Sequence, residues 1–344
     1  MEFSTEARAA LHLTGSDVGK RVSVRRLAED GGAGAKFSDT VGVLTSWDEG
    51  VLLITRRNGE RVRIDESTLV AGKVVPPEPA RRRGPASSFR ELAGVTARAW
   101  PPVESEPLGG WVLRASSGFT RRANSVLAVG DPGLELDDAL AVVAAWYGER
   151  GLPAYVQAAT GAEGTDEMLC AALEERGWVR EVTAEVWIGG LAAVADAVDP
   201  AGADPAGAGP RAPVVEFSRH TDDAWRARYQ RKGVSEVARR VLEGGPSVWF
   251  ATVPGADGAP PAAIGRCVVD GRWAGFAAVE VAPERRREGL ATRVMAALAG
   301  QAMKEGASAG WLQVETDNSG ARGLYDTLGF SAHHAYHHYR RPEA

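Results

Sequence analysis

Cysteine is scarce in this sequence, with only Cys170 and Cys267 among 344 residues. Each lies in an apolar, periodic segment, so we predict two buried free thiols and exclude a disulfide framework or a cysteine metal pair. Four of the six histidines fall between positions 333 and 338. They lack the acidic or cysteine partners of a zinc site, so no metal cofactor is expected.

Long hydrophobic runs are also missing. No stretch reaches the roughly 18 apolar residues that a membrane helix needs, and the segment from Met1 to Glu6 carries acids in place of a signal-type apolar run. We therefore expect a cytoplasmic protein without a membrane partner.

An excess of positive charge is absent as well. The sequence has 40 Lys and Arg against 45 Asp and Glu, which gives a formal net charge of −5. This balance provides no global attraction for nucleic acid, which is not expected as a partner. A local basic cluster at 81–83 is interpreted as part of a solvated linker.

What is present is the composition of a globular protein, with 44% hydrophobic and 25% charged residues. A chain of 344 residues is expected to form two or three units. Segments rich in Pro and Arg, or in Ala, Gly and Pro, cannot form a core and are interpreted as linkers. The predicted division is a small β unit at 1–76, a linker at 77–88, an α/β unit at 89–191, a linker at 192–213 and a final unit at 214–344.

The first unit alternates short β-rich runs with turns. Asn58-Gly59, between two of these runs, predicts a two-residue hairpin. We predict a small five-stranded β-barrel similar to the Src-homology-3 or Sm type. Such barrels bind peptides, RNA or nothing, so fold alone gives no function. The unit is either a packing and dimerisation domain or a docking module that uses Trp47 and the basic residues Arg56, Arg57, Arg61 and Arg63. The oligomeric state is left open.

The most informative segment runs from a strand into a helix. Residues 276–283 are predicted to be a buried strand, and apolar positions recur at helical spacing over 292–303. Between them, the pattern R-x-x-G-x-A (Arg286, Gly289, Ala291) places small residues where backbone N–H groups can approach a ligand at the positive end of a helix dipole. Such a turn alone is weak evidence, but it predicts a site for a pyrophosphate.

Downstream, a predicted strand at 310–315 leads into a short helix that Gly329 ends. The ordered set V-x-P-x-x-R-x-x-G-x-A, followed by V-x-x-x-N-x-x-A-x-x-L-Y-x-x-L-G-F, resembles the GNAT superfamily of acyl-CoA-dependent N-acetyltransferases. The resemblance implies a fold of class α+β / α/β, with a small N-terminal β-barrel followed by tandem GNAT units of mixed, mostly antiparallel sheets flanked by helices. Two motifs in the correct order make this resemblance specific.

The resemblance also implies roles for particular residues. Acetyl-CoA would be the co-substrate, with its acyl and pantetheine portion held by the backbone at Val281 and its pyrophosphate held by the turn and the start of the helix. The residues implied for the pyrophosphate are Arg286, Arg287, Glu288, Gly289, Leu290, Ala291 and Thr292. Asn318 is expected to cap the short helix and to contact CoA. Tyr325 matches a family tyrosine that acts as general acid toward the departing thiolate, and its other interpretation is a core aromatic.

A general base is harder to identify. Glu280 lies on the signature strand between apolar neighbours, where a carboxylate is costly unless it faces a polar cleft, so it is the first candidate. Glu315 on the next strand is the second. Either carboxylate could instead pair with an arginine, and many members of the superfamily use a chain of water molecules.

Residues 89–191 resemble a second, degenerate GNAT unit. The R-x-x-G-x-A turn is missing there, so this unit is not expected to hold acetyl-CoA. A polar, aromatic hairpin within it carries Arg114, Arg121 and Arg122, which we predict to bind the acceptor substrate. The alternative is a surface turn with solvated arginines.

The whole order of units looks like an actinobacterial acetyltransferase family whose members have been assigned as histone-type acetyltransferases or as N-acetylglutamate synthases. We therefore predict transfer of an acetyl group to a primary amine by direct attack in a ternary complex. The first acceptor candidate is a small amino acid such as glutamate, as in arginine biosynthesis, and the second is a protein lysine. A non-catalytic acetyl-CoA sensor is the competing class.

Overall fold

The computed structural model describes residues 11–27, 37–76, 84–198, 213–229, 235–256 and 258–342. The chain divides into two compact units, and each is described by itself. Unit 1 comprises Met1–Ala80, Val156–Thr183 and His334–Ala344, and unit 2 comprises Arg81–Tyr155 and Ala184–His333. The boundaries that the sequence predicts at 76, 89, 191 and 214 stay predictions, and the basic cluster 81–83 and most of the linker 192–213 lie outside the described residues.

The described residues form seventeen strands and eight α-helices. The strands are β1 Leu11–His12, β2 Arg21–Leu27, β3 Phe37–Asp48, β4 Val51–Thr55, β5 Arg61–Asp65, β6 Leu69–Val74, β7 Glu104–Leu108, β8 Trp111–Ala115, β9 Val126–Leu127, β10 Tyr155–Thr160, β11 Val179–Gly190, β12 Glu216–Ser218, β13 Ser247–Val253, β14 Ala263–Asp270, β15 Trp273–Val281, β16 Ala309–Glu315 and β17 Ser331–Arg340. The helices are α1 Phe89–Arg98, α2 Leu136–Gly148, α3 Glu167–Glu175, α4 Leu191–Ala195, α5 Asp223–Arg228, α6 Glu236–Glu243, α7 Leu290–Lys304 and α8 Ser319–Thr327.

Unit 1 contains a six-stranded sheet with the order β1-β6-β2-β3-β4-β5. Alternating side chains of β2 and β4 bury Val22, Val24, Leu52 and Ile54 in one small core, as the period of two in a half-buried strand requires. Within the described residues no pairing joins β1 to β5, so the sheet is open. The prediction of a closed five-stranded barrel is therefore wrong, because periodicity identifies strands but does not report which edges pair.

The hairpin between β4 and β5 differs from the predicted two-residue turn. Thr55 pairs with Arg61, and the backbone N–H of Arg56 donates to the carbonyl of Glu60. Gly59 has a left-handed φ of 80° and donates its N–H to the carbonyl of Arg56. This is a three-residue loop that ends on a left-handed glycine, which is another common hairpin connection.

Unit 1 also contains α3, most of β10 and parts of β11 and β17. His337 on β17 is fully buried, with Nε2 lying 3.0 Å from the hydroxyl of Thr160 and Nδ1 lying 2.9 Å from that of Thr183. Thr160 donates its own hydroxyl hydrogen to the carbonyl of Arg57, so it accepts a hydrogen bond from Nε2 of His337. Burial, followed by the charge of Arg180, lowers the pKa of His337 to about 3.

Unit 2 carries the phosphate-turn motif. One group of its strands follows the order β12-β13-β14-β15-β16-β11, and a second group follows the order β7-β8-β9. Among the described pairs of these two groups, only β15–β16 is parallel. Helices α4 and α7 contribute Leu191, Val194, Val294 and Leu298 to an apolar core of the unit. The mixed, mostly antiparallel fold that the sequence predicts is present.

Most elements around the motif agree with the sequence. The predicted strand at 310–315 lies within β16, and Asp222 caps α5 by accepting from the N–H of Trp225 at 2.7 Å. Helix α1 was not predicted. Cys170 and Cys267 are free and buried, as expected. The longest described helix, α7, has 15 residues, and none of the described helices has the length and hydrophobicity to cross a bilayer.

Candidate functional site

The candidate site lies where β15 and β16 separate. The parallel pairs run from Trp273↔Ala309 to Phe276↔Leu312 and end there, although β15 continues to Val281 and β16 to Glu315. On its other side, β16 stays paired with β11 along its whole length. The backbone of β15 beyond Phe276 therefore borders an opening in the sheet, where its peptide groups are accessible to a ligand.

A β-bulge reshapes β15 at the same place. Ile264 pairs with Glu280 and Arg266 pairs with Ala277, so two residues of β15 oppose the single residue Gly265. Ala278, inside the bulge, has a left-handed φ of 51°. A Cβ on Gly265 would lie 2.4 Å from Val294 of α7, so this glycine allows the helix to pack closely against the bulged strand.

The turn after β15 leads into the N-terminus of α7. Arg287 and Gly289 have left-handed φ values of 69° and 74°, and Gly289 is the N-cap residue of the helix. A Cβ built on Gly289 would meet nothing within 4 Å, so the space above the turn is open. The first N–H groups of a helix have no intrahelical partner, and they lie at the positive end of its dipole. The turn therefore has the properties of an anion-binding site.

The three arginines of the turn differ in their surroundings. Arg285 pairs with Glu288 at 2.8 Å, so both of these charges are engaged within the turn. Arg286 and Arg287 are exposed, and the described residues include no ion pair for either side chain. Their charges are accessible for binding a phosphate group.

Helix α8 forms the opposite wall. Asn318 caps it, with its side-chain oxygen accepting from the N–H of Ala321 at 3.1 Å. The helix ends at Thr327 and is followed by Gly329, whose φ is 84°, and Phe330 donates its N–H to the carbonyl of Tyr325. The glycine stop and the cap that the sequence predicts are both present, and they fix the position of Tyr325.

Tyr325 lies half-buried against the apolar core. Its ring centroid is 6.3 Å from that of Phe330, in an edge-to-face arrangement. Desolvation raises the pKa of the Tyr325 phenol to about 12. The phenol is therefore protonated throughout the neutral range and can donate a proton to a basic leaving group.

The two candidate bases differ in their access to the cleft. Glu280 is half-buried and lines the cleft on β15. Glu315 is exposed and is not among the lining residues. Of the two, Glu280 therefore has the position that a base in this cleft requires.

Together these elements enclose a cleft of about 870 Å³, within the usual size range of small-molecule sites. Its lining combines the bulged strand, the arginine turn, the start of α7, the cleft-facing part of α8 and several polar side chains from other elements. The lining residues that the sequence also predicted are Glu280, Val281, Arg286, Arg287, Gly289, Leu290, Ala291, Thr292, Asn318, Tyr325 and Arg122. Glu288 belongs to the same turn but does not line the cleft.

The three arginines predicted for the acceptor are separated. Arg122 lines the cleft and donates to the side-chain oxygen of Gln313. Arg114 is buried elsewhere, with Nε donating to the carbonyl of Ser125 at 2.8 Å. Arg121 is exposed, and its guanidinium lies 6.0 Å from the ring centroid of Tyr155. Only Arg122 of the three is therefore positioned at the cleft.

Trp100, Tyr229 and Gln313 also line the cleft and were missed from the sequence. Gln313 follows Leu312, so its place at the opening depends on where the parallel pairing ends, which sequence does not show. Trp100 follows the unpredicted helix α1. Tyr229 follows the short helix α5, and no motif in the sequence marks it.

A family model described as "Probable histone acetyltransferase Rv0428c C-terminal" matches residues 86–339. Among curated proteins, the "Probable histone acetyltransferase Rv0428c" of Mycobacterium tuberculosis is 27% identical over 326 residues, covering 92% of this chain and 93% of that protein. The "Uncharacterized N-acetyltransferase YobR" of Bacillus subtilis is 26% identical over 262 residues, covering 73% of this chain and 98% of that protein.

Two solved structures have a similar fold. A GCN5-related N-acetyltransferase from Kribbella flavida aligns with a TM-score of 0.53 at 16% identity, covering 75% of this chain and 98% of that one. A tandem GNAT protein from the clavulanic acid biosynthesis pathway aligns with a TM-score of 0.50 at 14% identity, covering 76% and 91%. At these identities the likeness concerns the fold alone.

Proposed function

This chain belongs to the Rv0428c C-terminal family of GNAT-type N-acetyltransferases, and from that premise we propose that it transfers an acetyl group from acetyl-CoA to a primary amine in the cleft between β15 and β16. The observation that carries the proposal is the opening beyond Phe276 and Leu312, which leads along exposed strand backbone to the anion-binding turn. We further propose that residues 89–191 are a degenerate second GNAT unit, which contributes Trp100 and Arg122 to the cleft.

The fit to acetyl-CoA rests on the turn and the strand. The open space above Gly289, the left-handed φ of Arg287 and the exposed guanidinium of Arg286 suit a pyrophosphate. The backbone of β15 near Val281 can hydrogen-bond an extended amide chain as a neighbouring strand would. Asn318, which caps α8 at the edge of the cleft, would contact CoA as well. When bound, acetyl-CoA supplies the activated acyl thioester.

The protein's own side chains supply the proton transfers. Glu280 accepts a proton from the acceptor ammonium, directly or through water, which leaves the neutral amine needed for attack on the acyl carbon. Tyr325, with a pKa of about 12, holds the proton that the departing thiolate takes up, and the proton that the nitrogen loses as the amide forms restores the phenol. Both residues line the same cleft, as direct attack in a ternary complex requires.

Two acceptor classes are supported by different observations. The name of the Mycobacterium tuberculosis relative favours a lysine of a protein. Arg122 at the cleft favours a small amino acid such as glutamate, which would make the protein an N-acetylglutamate synthase. A sensor that binds acetyl-CoA without turnover is the competing function.

The test follows free thiol in the purified protein with acetyl-CoA and either a panel of free amino acids that includes glutamate or a capped lysine peptide. We expect amine-dependent thiol release, and we expect Tyr325→Phe to lower kcat by about 10²- to 10³-fold without weakening acetyl-CoA binding. Tyr155→Phe is the matched control, because Tyr155 does not line the cleft. Tight acetyl-CoA binding without turnover on any amine would instead support the sensor.

A further inference from the structure

Two guanidinium groups lie against one indole at the wall of the cleft. The Cζ of Arg122 is 4.6 Å from the ring centroid of Trp100, and the Cζ of Arg266 is 4.9 Å from it. Trp100 and Arg122 line the cleft, whereas Arg266 is 1% exposed behind them. Stacking on an aromatic face restricts a guanidinium, so Trp100 holds Arg122 in place at the wall of the cleft.

The loop that carries Arg122 is rigidly built. Asn124 accepts from the backbone N–H groups of Ser116 and Gly118, and it donates to the carbonyls of Phe119 and Thr120. The hydroxyl of Thr120 also accepts from the indole N–H of Trp100 at 2.9 Å. These bonds join the loop to the same indole on which Arg122 stacks.

Three residues of this loop have left-handed backbone angles. They are Ser117 with φ of 47°, Gly118 with φ of 80° and Thr120 with φ of 59°. Left-handed conformations at residues other than glycine cost energy, and they persist only where the surroundings hold them. A strained loop fixed by one buried asparagine is typical of segments that position a functional side chain.

The charge behind Trp100 is positive. Arg266 donates to the carbonyls of Leu242, Ala99 and Gly244, and no carboxylate among the described residues forms an ion pair with it. Burial, followed by the charge of Arg122, lowers the pKa of Arg266 to about 9, so it is still charged at neutral pH. Two cations beside one indole produce a local positive potential, which favours an anion in this part of the cleft.

We infer that Arg122 determines acceptor specificity by binding a carboxylate of the acceptor, so the enzyme acts on amines that carry a carboxylate. The inference rests on the proposed acetyl transfer. Arg122 contacts Gln313, and a guanidinium offers five donors in a planar fork that suits a bidentate contact with a carboxylate. Trp100 and Arg266 are positioning residues for that fork, and Glu280 and Tyr325 line the same cleft for the amine and the thioester.

The test compares Arg122→Gln and Arg122→Lys with wild type on the best amino-acid acceptor and on its uncharged carboxamide. In Arg122→Gln we expect the KM for the acid to rise about 10- to 100-fold, as the loss of a charge-assisted hydrogen bond predicts, while the KM for acetyl-CoA is unchanged. The preference for acid over carboxamide should disappear. Arg122→Lys should be intermediate, because an ammonium keeps the charge and lacks the fork.

Arg98→Gln is the matched control. It removes one arginine charge from α1, where Arg98 pairs with Asp270 at 2.7 Å outside the cleft, and it should leave both KM values unchanged. The inference would be overturned if Arg122→Gln kept the wild-type KM for the acid and the wild-type preference for the acid over the carboxamide. Preferred turnover of a capped lysine peptide with no dependence on Arg122 would do the same.

Failure of the proposed acetyl transfer is distinguished by calorimetry. If no amine releases thiol, the same free amino acids are titrated into wild type and Arg122→Gln in the presence of CoA. Binding in wild type that is lost in Arg122→Gln would support the carboxylate site although the transfer proposal had failed. No binding of any carboxylate by wild type would overturn the inference.

Discussion

Gly275 and Trp311 face each other in the last part of the parallel pairing between β15 and β16. A Cβ on Gly275 would lie 2.2 Å from the Trp311 ring, so the indole occupies the space that any other residue would need. One pair further along, at Phe276 and Leu312, the pairing stops and the cleft begins. The cleft therefore opens directly beside one of the most tightly packed points of the sheet.

The first prediction concerns this packing. Gly275→Ala should lower the free energy of unfolding by about 1–3 kcal/mol, because the Trp311 ring must move to admit a methyl group. Gly300→Ala is the control, since Gly300 lies inside α7 with nothing within 4 Å of its Cβ position. Its free energy of unfolding should rise by about 0.5–1 kcal/mol. Denaturant titration measures both. Equal stabilities for the two variants would contradict the packing argument.

Sequence predicted the parts of the site that depend on local chemistry. The R-x-x-G-x-A turn, the Asn318 cap and the Gly329 stop each need particular residues at fixed spacing, and the cap and the stop are present as expected. The predicted helix starts within two residues of the observed α7, which begins at Leu290. Such features depend on a few neighbouring residues, so the sequence alone predicts them.

The sequence did not predict the features that depend on pairing between distant strands. The open edge of the unit 1 sheet, the end of the β15–β16 pairing and the distance of Arg114 from the cleft all depend on which strands meet. Trp100 contacts Arg122 and Arg266, which lie 22 and 166 residues further along the sequence. No local pattern predicts contacts over such separations. Periodicity identifies elements, but it does not bring distant side chains together.

The second prediction separates the arginines of the turn. Arg286→Ala and Arg287→Ala should each weaken acetyl-CoA binding about 5- to 20-fold at low ionic strength, because their exposed charges are accessible to phosphate. Arg285→Ala should change the affinity less than about twofold, since Glu288 already holds this guanidinium. Calorimetric titration at two salt concentrations gives the dissociation constants.

The salt dependence provides the check on this prediction. Raising the ionic strength should reduce the difference between wild type and the Arg286 and Arg287 variants, because screening weakens interactions between exposed charges. An Arg285→Ala effect as large as the other two would indicate a general loss of positive charge and contradict the specific assignment.

The third prediction concerns the general base. Glu280→Gln should lower kcat/KM for the acceptor by about 10²-fold or more, while the dissociation constant of acetyl-CoA is unchanged, because proton acceptance is lost and the shape is kept. Glu315→Gln is the matched control, since Glu315 is exposed and does not line the cleft. Steady-state kinetics with saturating acetyl-CoA measure the effect. Activity of Glu280→Gln within about threefold of wild type would assign proton removal to water.

The last prediction is a pH dependence of stability that His337 causes. Its pKa in the folded protein is about 3, well below the value near 6.5 of an exposed histidine, because the ring is buried between Thr160 and Thr183. Between these two values the unfolded chain binds the extra proton. The stabilising contribution is therefore complete above about pH 6.5 and is lost as the pH falls toward 3, by up to about 1.4 kcal/mol per pH unit.

Urea unfolding at several pH values gives the slope of the unfolding free energy against pH for wild type and for His337→Asn. The difference between the two slopes measures this contribution. Carboxylates titrate in the same range, but they are common to both proteins and cancel in the comparison. His220→Gln is the control for the loss of an accessible histidine, because His220 lies at an exposed position beside Glu243. We expect wild type and His220→Gln to lose stability more steeply below pH 6 than His337→Asn. Parallel slopes for all three proteins would contradict this prediction. The His337 ring would then be protonated without loss of folding stability, which would mean that water reaches it more easily than its burial between the two threonines indicates.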